Sequence, residues 1–453
     1  MDKYRENFHH SLAMLTVFFN EFCSGMGTGW ISPTLNALKS ADSTSSMTIA
    51  EFSWIASIDQ FGRIVGCILA AIFLDMVGRK PILISSALTF CLTWIILMFT
   101  KSVYMICVVR VLFGVALGLE SGTNSVYIGE NLSPRVRGFF GTISLALYDI
   151  GMFMEVVIAT YFSFRTTAII NFFIQFIFFS ASYWVRETAP FLLMKGDEKK
   201  ALENFMWLKG VTEPDHVKNE FEQIKLHVQA EKAKKASIRK IITSRANYRS
   251  VVILVMIYIL GGMTGYVTIM AYGSIIFPSS EIMSSNAFTI LFAAIQIVTT
   301  ISSSFFVDNL NRRSFIVVSF SLAGLINSCT AFLYYMQHDL FESTVAAWLI
   351  FLSVTLYSIV YQFVYPALFL IRSELFPLSV RAVGTSFCRI GISITSFAMI
   401  KMFLHIYSNY GIHYNFLIFS LSSWMLVAFV YFTLPETRNR TLIEIQEALE
   451  KQK

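Results

Sequence analysis

Twelve long apolar runs, each of roughly 20 residues or more, constrain this chain more than any other feature of its sequence. A helix rises about 1.5 Å per residue, so each run can cross the roughly 30 Å hydrocarbon core of a bilayer. Charged residues make up 14% of the chain, against about 25% in an ordinary soluble domain. The sequence therefore predicts an all-α membrane protein with twelve transmembrane helices. The predicted spans are 11–33, 53–74, 81–100, 103–129, 138–161, 167–185, 250–277, 286–307, 314–336, 346–371, 382–405 and 412–434.

Basic residues divide unevenly between the two sides of this topology. One side carries 28 of the 35 Lys and Arg residues, whereas the other carries Lys39, Lys101 and Arg165. Because cytoplasmic loops are enriched in Lys and Arg, the base-rich side is predicted to be cytosolic, with both termini on it. The net charge of +6 then reflects topology and gives no reason to expect a nucleic-acid partner. The first run lacks a signal-peptide cleavage site, so we expect a retained helix.

Three charged motifs occur twice, at offsets of 233, 244 and 249 residues. They match Asp75 and Arg79 with Asp308 and Arg312, Glu130 and Arg137 with Glu374 and Arg381, and Glu187 with Glu436. Each motif follows the corresponding span of its half, which indicates two six-helix halves related by a parallel repeat. The predicted organisation is an N-terminal half at 1–186, a cytosolic helical linker at 187–249, a C-terminal half at 250–435 and a cytosolic tail at 436–453.

We expect the repeated charges to form a cytosolic gate, with Arg137 and Arg381 as the partners of Glu130 and Glu374. Ion pairs at helix ends can be made in one state and broken in another, and each contributes modestly, about 0–1 kcal/mol when exposed. A purely topological role would explain the arginines. It does not explain the acids beside them.

Several segments resemble the sugar porter family of the major facilitator superfamily, and most of all its insect facilitated trehalose transporters. They are GTGWISPTL, LDMVGRK, RVLFGVALG, YIGENLSPRVRG, SELFPLSVRAVGTS and LPETRNRTLIEI, spread from about Gly25 to Ile445. The resemblance implies a solute cavity between the halves, transport of a small molecule such as trehalose or a hexose by alternating access, no cofactor, and a monomer in the plasma membrane.

The resemblance also implies where sugar-binding side chains belong, and most of these positions have lost them. Family members carry amide or indole groups where this chain has Leu145, Gly261, Gly262, Val267, Phe369 and Ile392. A buried hydroxyl left unpaired costs about 1–3 kcal/mol, so a carrier of a less hydroxylated or charged solute stays an alternative. The candidate solute-binding residues are Gln296, Tyr272, Thr264, Phe369, Glu21 and Glu120.

Ionisable residues inside spans are functional candidates, because their insertion costs about 2.5–3.5 kcal/mol. Asp59 and Arg63 lie one turn apart in the second span, which favours a local pair. With Arg389 of the eleventh span they are predicted to form a triad between the halves, although a solute-binding role stays open. Asp149 and Glu155 add two acids to the fifth span.

Proton-driven sugar symporters that resemble this chain carry an Asp where it has Gly27, so a facilitator is favoured, with Glu21 and Asp149 as the residues that could reverse this. A non-transporting nutrient sensor is the second hypothesis. It is weakened by the short tail of about 18 residues, whose sequence predicts a helix capped by Thr441.

The six cysteines all fall inside predicted spans, and no loop has metal-ligand spacing or a nucleophile beside a base. We therefore expect neither an enzyme nor a metal site.

Overall fold

The computed structural model describes residues 2–35, 47–100, 102–132, 134–233, 245–306, 311–336, 343–376, 378–438 and 444. Within these ranges the chain is helical and contains no strand. The helices are α1 (Asp2–Gly29), α2 (Ile49–Val77), α3 (Arg79–Phe99), α4 (Val103–Asn131), α5 (Pro134–Tyr161), α6 (Phe164–Ser182), α7 (Ala189–Lys195), α8 (Glu198–Lys209), α9 (Lys218–Ala233), α10 (Arg245–Met263), α11 (Tyr266–Ile276), α12 (Ser285–Phe306), α13 (Arg312–Met336), α14 (Ser343–Leu375), α15 (Leu378–Tyr410) and α16 (Ile412–Thr433). The predicted tail helix lies outside the described residues, apart from Glu444, which is helical.

Helices occupy all twelve predicted spans. Eleven segments of the described chain are long and apolar enough to cross a membrane, with α10 and α11 counted together as one. The remaining span is α1, which begins at Asp2, well before the predicted start at residue 11. Polar residues such as Asn20 and Glu21 make α1 less apolar than the other membrane-spanning helices.

The seventh span is interrupted at Gly265. α10 ends at Met263 and α11 begins at Tyr266, and Gly265 between them has a φ of 96°, a conformation that glycine adopts without steric cost. Such a break frees backbone groups, which need partners inside a bilayer. The Tyr357 hydroxyl of α14 donates a hydrogen bond to the Thr264 carbonyl at 2.7 Å. A polar side chain of the tenth span thus supports the break.

Glycines allow α2 and α4 to approach closely. Gly62 and Gly66 on α2 face Gly114 and Gly118 on α4, and the four-residue spacing puts each pair on one face of its helix. A Cβ atom at Gly66 would lie 2.2 Å from the carbonyl oxygen of Val115. Helix association in membranes depends on such close van der Waals packing, so these positions exclude larger side chains.

The transmembrane helices form two bundles, which we call the first bundle (α1–α6) and the second bundle (α10–α16). In the first bundle α2 packs on α4, α1 on α5, and α3 on α4 and α6; in the second, α13 packs on α14 and α16, and α10 on α15. The bundles meet along two helix pairs, α2 with α15 and α5 with α12. The predicted repeat relates these two pairs. It matches the second span (α2) with the eighth (α12) and the fifth span (α5) with the eleventh (α15).

The segment between the bundles forms three short helices, α7–α9. As the spacing predicts, Val217, Phe221 and Val228 lie on one face and pack against α7 and α8. Gly196 ends α7 and Gly210 ends α8, both with positive φ. α8 also contacts α1, so this segment lies against the first bundle.

Candidate functional site

Arg79 is the centre of a buried charge cluster where α2 ends and α3 begins. We call this end of both bundles the base-rich end. The guanidinium is 3% exposed, and its Nε and Nη2 atoms donate to the Glu130 carboxylate at 3.0 and 2.6 Å. Its Nη1 atom donates to the Leu74 carbonyl at 3.0 Å and lies 3.3 Å from Asp75. Two parallel bonds fix a guanidinium in orientation as well as position. The ends of α2, α3 and α4 are thereby joined.

Glu187 completes this cluster from the segment after α6. Its carboxylate accepts the backbone N–H groups of Arg79 and Lys80, both at 3.1 Å. These groups have no partner within α3, and the dipole of the helix favours a negative charge at its start. The Thr188 hydroxyl donates to Glu130 at 2.5 Å. We call Asp75, Arg79, Glu130, Glu187 and Thr188 the first-bundle cluster.

The second bundle repeats the arrangement. Glu436, after α16, accepts the backbone N–H groups of Arg312 and Arg313 at 2.9 and 3.1 Å. Glu374 accepts hydrogen bonds from Arg312 Nε at 3.5 Å and from the Thr437 hydroxyl at 2.5 Å. We call Arg312, Glu374, Glu436 and Thr437 the second-bundle cluster. The motifs that recur in the sequence therefore meet in space, once in each bundle.

Some predicted gate residues cannot be placed, because Asp308 and the side chains of Arg137 and Arg381 lie outside the described residues. Glu130 is held by Arg79 through both carboxylate oxygens. Arg79 can reach it because it starts the helix that packs beside α4. The pairing of Glu130 with Arg137 stays a prediction.

Asp59 does not pair with the arginines predicted for it. Its carboxylate lies 3.0 Å from Arg110 Nη2 of α4, and both side chains are almost fully buried. Arg110 also donates to the carbonyl oxygens of Ile55 and Gly27, both at 3.2 Å. Arg110 was not predicted as a partner, although a base at the start of the RVLFGVALG segment, inside an apolar span, was a sufficient signal.

Glu21 of α1 and Glu120 of α4 are joined by one amide. The Asn124 side chain donates to both carboxylates, at 3.0 and 3.2 Å. Arg63 of α2 and Arg389 of α15 are the basic side chains whose charges act on this pair. The two arginines of the predicted triad, Arg63 and Arg389, therefore interact electrostatically with Glu21 and Glu120.

Hydrogen bonds join the two bundles at the end opposite the charge clusters. Ser274 of α11 donates its N–H to the Ser32 hydroxyl at 2.9 Å and its own hydroxyl to the Ser32 carbonyl at 2.5 Å. The Lys401 ammonium of α15 donates to the Ser53 hydroxyl at 2.8 Å and lies 3.8 Å from the centre of the Trp54 ring. These contacts close that end. The bonds of the two charge clusters, by contrast, each lie within one bundle.

A buried carboxylate forms a third contact between the bundles. Asp149 of α5 accepts a hydrogen bond from the Thr300 hydroxyl of α12 at 2.5 Å and another from the Gln362 side chain of α14. Glu155, six residues later on α5, accepts instead from Asn171 of α6 at 2.8 Å, within the first bundle. Of the two acids in the fifth span, Asp149 is therefore the one that links the bundles.

Comparison with known families identifies the chain. Residues 12–449 match the family model described as "Sugar (and other) transporter". The chain belongs to the sugar transporter family. It is therefore a multi-pass membrane protein and not an enzyme. Its relatives include the facilitated trehalose transporter Tret1 of Apis mellifera ligustica, 25% identical over 96% of this chain and 87% of that one. The same transporter of Polypedilum vanderplanki is 26% identical over 97% of this chain and 87% of the relative.

Solved structures of the Escherichia coli xylose transporter XylE share the fold. Its inward-open conformation aligns with a TM-score of 0.79 at 17% identity, covering 96% of this chain and 98% of that one. The proton:xylose symporter XylE bound to 6-bromo-6-deoxy-D-glucose aligns with a TM-score of 0.76, also at 17% identity, over 98% and 99% of the two chains. The predicted major facilitator fold is thus confirmed.

Among the candidate solute-binding residues of this sugar transporter family member, Gln296 has free polar atoms. It is fully buried on α12, and neither atom of its amide has a hydrogen-bond partner in the described part of the chain. The Tyr272 hydroxyl, by contrast, donates to the Ile400 carbonyl at 3.1 Å, and the Thr264 hydroxyl is bonded within the break of the seventh span. The side chain of Phe369 lies outside the described residues.

The positions without amides lie close together in the seventh and eleventh spans. A Cβ atom at Gly262 would lie 2.3 Å from Thr395 Oγ1 and 3.3 Å from Ile392 Cγ1. At Gly261 an added Cβ atom would meet nothing within 4 Å. Side chains of α15 therefore occupy the space beside Gly262, while the space beside Gly261 stays open.

Proposed function

We propose that this protein carries a sugar, trehalose or a hexose, across a membrane by facilitated diffusion with alternating access. The observation that carries the proposal is the pair of matched charge clusters, one in each bundle, in a chain that belongs to the sugar transporter family. Relatives named as facilitated trehalose transporters support a sugar as the solute. The solute would cross between the bundles.

Alternating access requires the bundles to rock about a central site so that one end is open at a time. The Ser32–Ser274 and Lys401–Ser53 hydrogen bonds join the bundles at one end, and we therefore take the base-rich end as the one that is open. To expose the solute on the other side, these bonds must break while the base-rich ends of the two bundles move toward each other. The charge clusters keep the helix ends of each bundle together during this movement. We propose this as their gating role.

Passive transport is supported by the surroundings of Gly27. A Cβ atom there would lie 1.8 Å from the Phe113 ring, so the aspartate of the proton-driven relatives would not fit without rearrangement. Arg110, which bonds the Gly27 carbonyl, has its charge neutralised by Asp59. We therefore propose a facilitator without proton coupling.

We place the base-rich end, both termini and the α7–α9 segment in the cytosol, because basic residues concentrate on cytoplasmic loops. The domain boundaries at 187, 250 and 436 follow from the same topology. The plasma membrane and a monomeric state complete the proposal, by analogy with the family.

A second candidate function is transport of a less hydroxylated or charged solute. The observation that favours it is the absence of side-chain amides at Leu145, Gly261, Gly262, Val267 and Ile392. A site without these groups leaves sugar hydroxyls unpaired.

Uptake into proteoliposomes containing the purified protein tests the proposed function. Labelled trehalose, glucose and 2-deoxyglucose should enter to equilibrium without a pH gradient, saturate with concentration, and exchange with unlabelled sugar loaded inside. Empty liposomes and liposomes with the Glu130→Gln variant serve as controls. Uptake that requires an imposed pH gradient would contradict facilitated diffusion, and uptake no faster than in empty liposomes for every sugar would contradict sugar transport.

A further inference from the structure

Asp149 is a buried carboxylate without a cationic partner. It is 4% exposed, and its two bonded neighbours, the Thr300 hydroxyl and the Gln362 amide, are neutral. Among the described residues, no Lys, Arg or His side chain forms a salt bridge with this carboxylate. Asp59, a buried aspartate of α2, is by contrast neutralised by Arg110 at 3.0 Å. Burial of a carboxylate without a counter-charge is costly. A cationic group on a bound solute would offset that cost at Asp149.

The groups around Asp149 leave room for further bonds. A carboxylate offers about four acceptor sites, and two are used here. Gln296 precedes Thr300 by four positions on α12, so both side chains lie on the same helix face. The amide of Gln296 is buried with both polar atoms free among the described residues. An unpaired buried amide, one helical turn from the hydroxyl that bonds an unneutralised carboxylate, is the polar pattern of a binding site.

An aromatic surface lies next to these polar groups. The charge of Asp149 acts on Tyr266 of α11, whose ring stacks on that of Tyr361 with 4.3 Å between the ring centres. Aromatic faces pack against the apolar face of a sugar ring and attract cations. The site thus draws one acid from the first bundle, and two amides, a hydroxyl and two rings from the second.

We infer that Asp149 is a specificity-determining residue that selects a solute bearing a protonated amine, of the class of amino sugars or amino polyols. The ammonium group supplies both the missing positive charge and N–H donors for the free acceptor sites of the carboxylate. Gln296 can bond a hydroxyl of the same solute through its free donor or acceptor. A neutral sugar can donate hydroxyl hydrogen bonds to these acceptor sites but supplies no positive charge, and an anionic solute is repelled. This inference rests on the proposed transport function, whose solute class it narrows.

The test compares labelled D-glucosamine with labelled D-glucose and D-mannose in the same proteoliposomes. The unaltered protein should take up glucosamine about tenfold or more faster than the neutral hexoses at low concentration, since hydrogen bonds to charged groups are the strong ones. Asp149→Asn keeps the shape and removes the charge, so the ratio of glucosamine uptake to neutral-hexose uptake should fall to near one. Glu155→Gln replaces another buried acid of the same helix, bonded within the first bundle and away from the second, and should leave the preference unchanged.

A second measurement avoids dependence on a folded variant. Unlabelled glucosamine should inhibit hexose uptake by the unaltered protein at lower concentration than N-acetylglucosamine, whose nitrogen carries no charge. Equal inhibition by the two sugars, or a glucosamine preference that survives Asp149→Asn, would overturn the inference and leave sugar transport itself intact. Failure of the unaltered protein to transport any of these sugars would instead overturn the proposed function.

Discussion

Arg79 bonds two acids whose environments differ sharply. The Glu130 side chain is 18% exposed and makes the bidentate contact, whereas the Asp75 side chain is 74% exposed. Exposed ion pairs contribute about 0–1 kcal/mol because water and salt screen them. We expect Glu130→Gln to lower the free energy of unfolding by about 1–3 kcal/mol and to reduce transport, since Arg79 stays buried with a weaker partner. Asp75→Asn should change the free energy of unfolding by no more than about 0.5 kcal/mol and leave transport nearly unchanged. Melting temperatures and uptake rates at matched expression check this difference; similar losses in the two variants would argue against it.

Substitutions of Asp59 and Arg110 should have coupled effects on the free energy of unfolding. Removing one partner leaves the other charge buried and unpaired, which costs about 3–5 kcal/mol. We therefore expect Asp59→Asn and Arg110→Gln each to destabilise the protein strongly, and the double variant to lose clearly less than the sum of the two. Arg63→Gln is the control, because Asp59 is not its partner. Additive losses in the double variant would contradict the pairing.

These two cases show which site residues a sequence can supply. The acids and arginines of the charge clusters were predictable because they recur at matching places in the two halves. Arg110 was not, because its partner Asp59 lies 51 positions earlier on another helix. The local rule favoured Arg63, one turn from Asp59. Close packing of α2 on α4 decided otherwise, and no pattern within one helix reports that packing.

Packing of α2 on α4 depends on glycine at the contact. Gly66→Leu would force its side chain against the Val115 carbonyl and Gly118, so we expect the variant to be retained as misfolded protein or to lose several kcal/mol of stability. Gly141→Ala is the matched control, since an added Cβ atom there meets nothing within 4 Å and alanine favours the helix by up to about 1 kcal/mol. Size-exclusion profiles in detergent distinguish the two. A monodisperse Gly66→Leu protein with an unchanged melting temperature would refute the contact.

Helices of this protein were predictable to within a few positions, since an apolar run of about 20 residues has few alternatives to a membrane helix. Helix ends are less constrained, and α1 begins nine positions before its predicted span. The break at Gly265 was not predicted either. Glycine alone is tolerated in a helix, and what permits the break is the Tyr357 hydroxyl, which arrives from a helix about 90 positions away in sequence.

Orientation of the two bundles in the membrane is a prediction that remains open to test. With 28 of 35 bases on one side, epitope tags at either terminus or near Lys225 should be reachable only after the cells are permeabilised. A tag near Ser45 should be reachable on intact cells. Antibody labelling with and without detergent measures this directly, and surface labelling of a C-terminal tag would reverse the proposed orientation.

The two-bundle architecture followed from the repeated motifs, but the conformation did not. Sequence spacing places Ser32, Ser53 and Lys401 near helix ends without saying which of them meet across the bundles. Their contacts depend on how the bundles tilt, and a transporter must have at least two such arrangements of nearly equal free energy. Because one sequence must adopt both arrangements, it does not specify which of the two the structure shows.

The space between the bundles also decides how well a neutral sugar can bind. Each hydrogen bond restored to a buried hydroxyl contributes about 0.5–1.5 kcal/mol, a few-fold to about tenfold in affinity. We expect weak uptake of glucose and trehalose by the unaltered protein, and a gain of this size in hexose uptake from the double variant Gly261→Gln and Ile392→Asn, because the space beside Gly261 is open. Gly262→Gln should fail to help, since its side chain would displace the Thr395 hydroxyl. Concentration dependence of hexose uptake measures both effects. High-affinity glucose uptake by the unaltered protein would mean that Gln296 and Asp149 already supply the bonds that the missing amides once made.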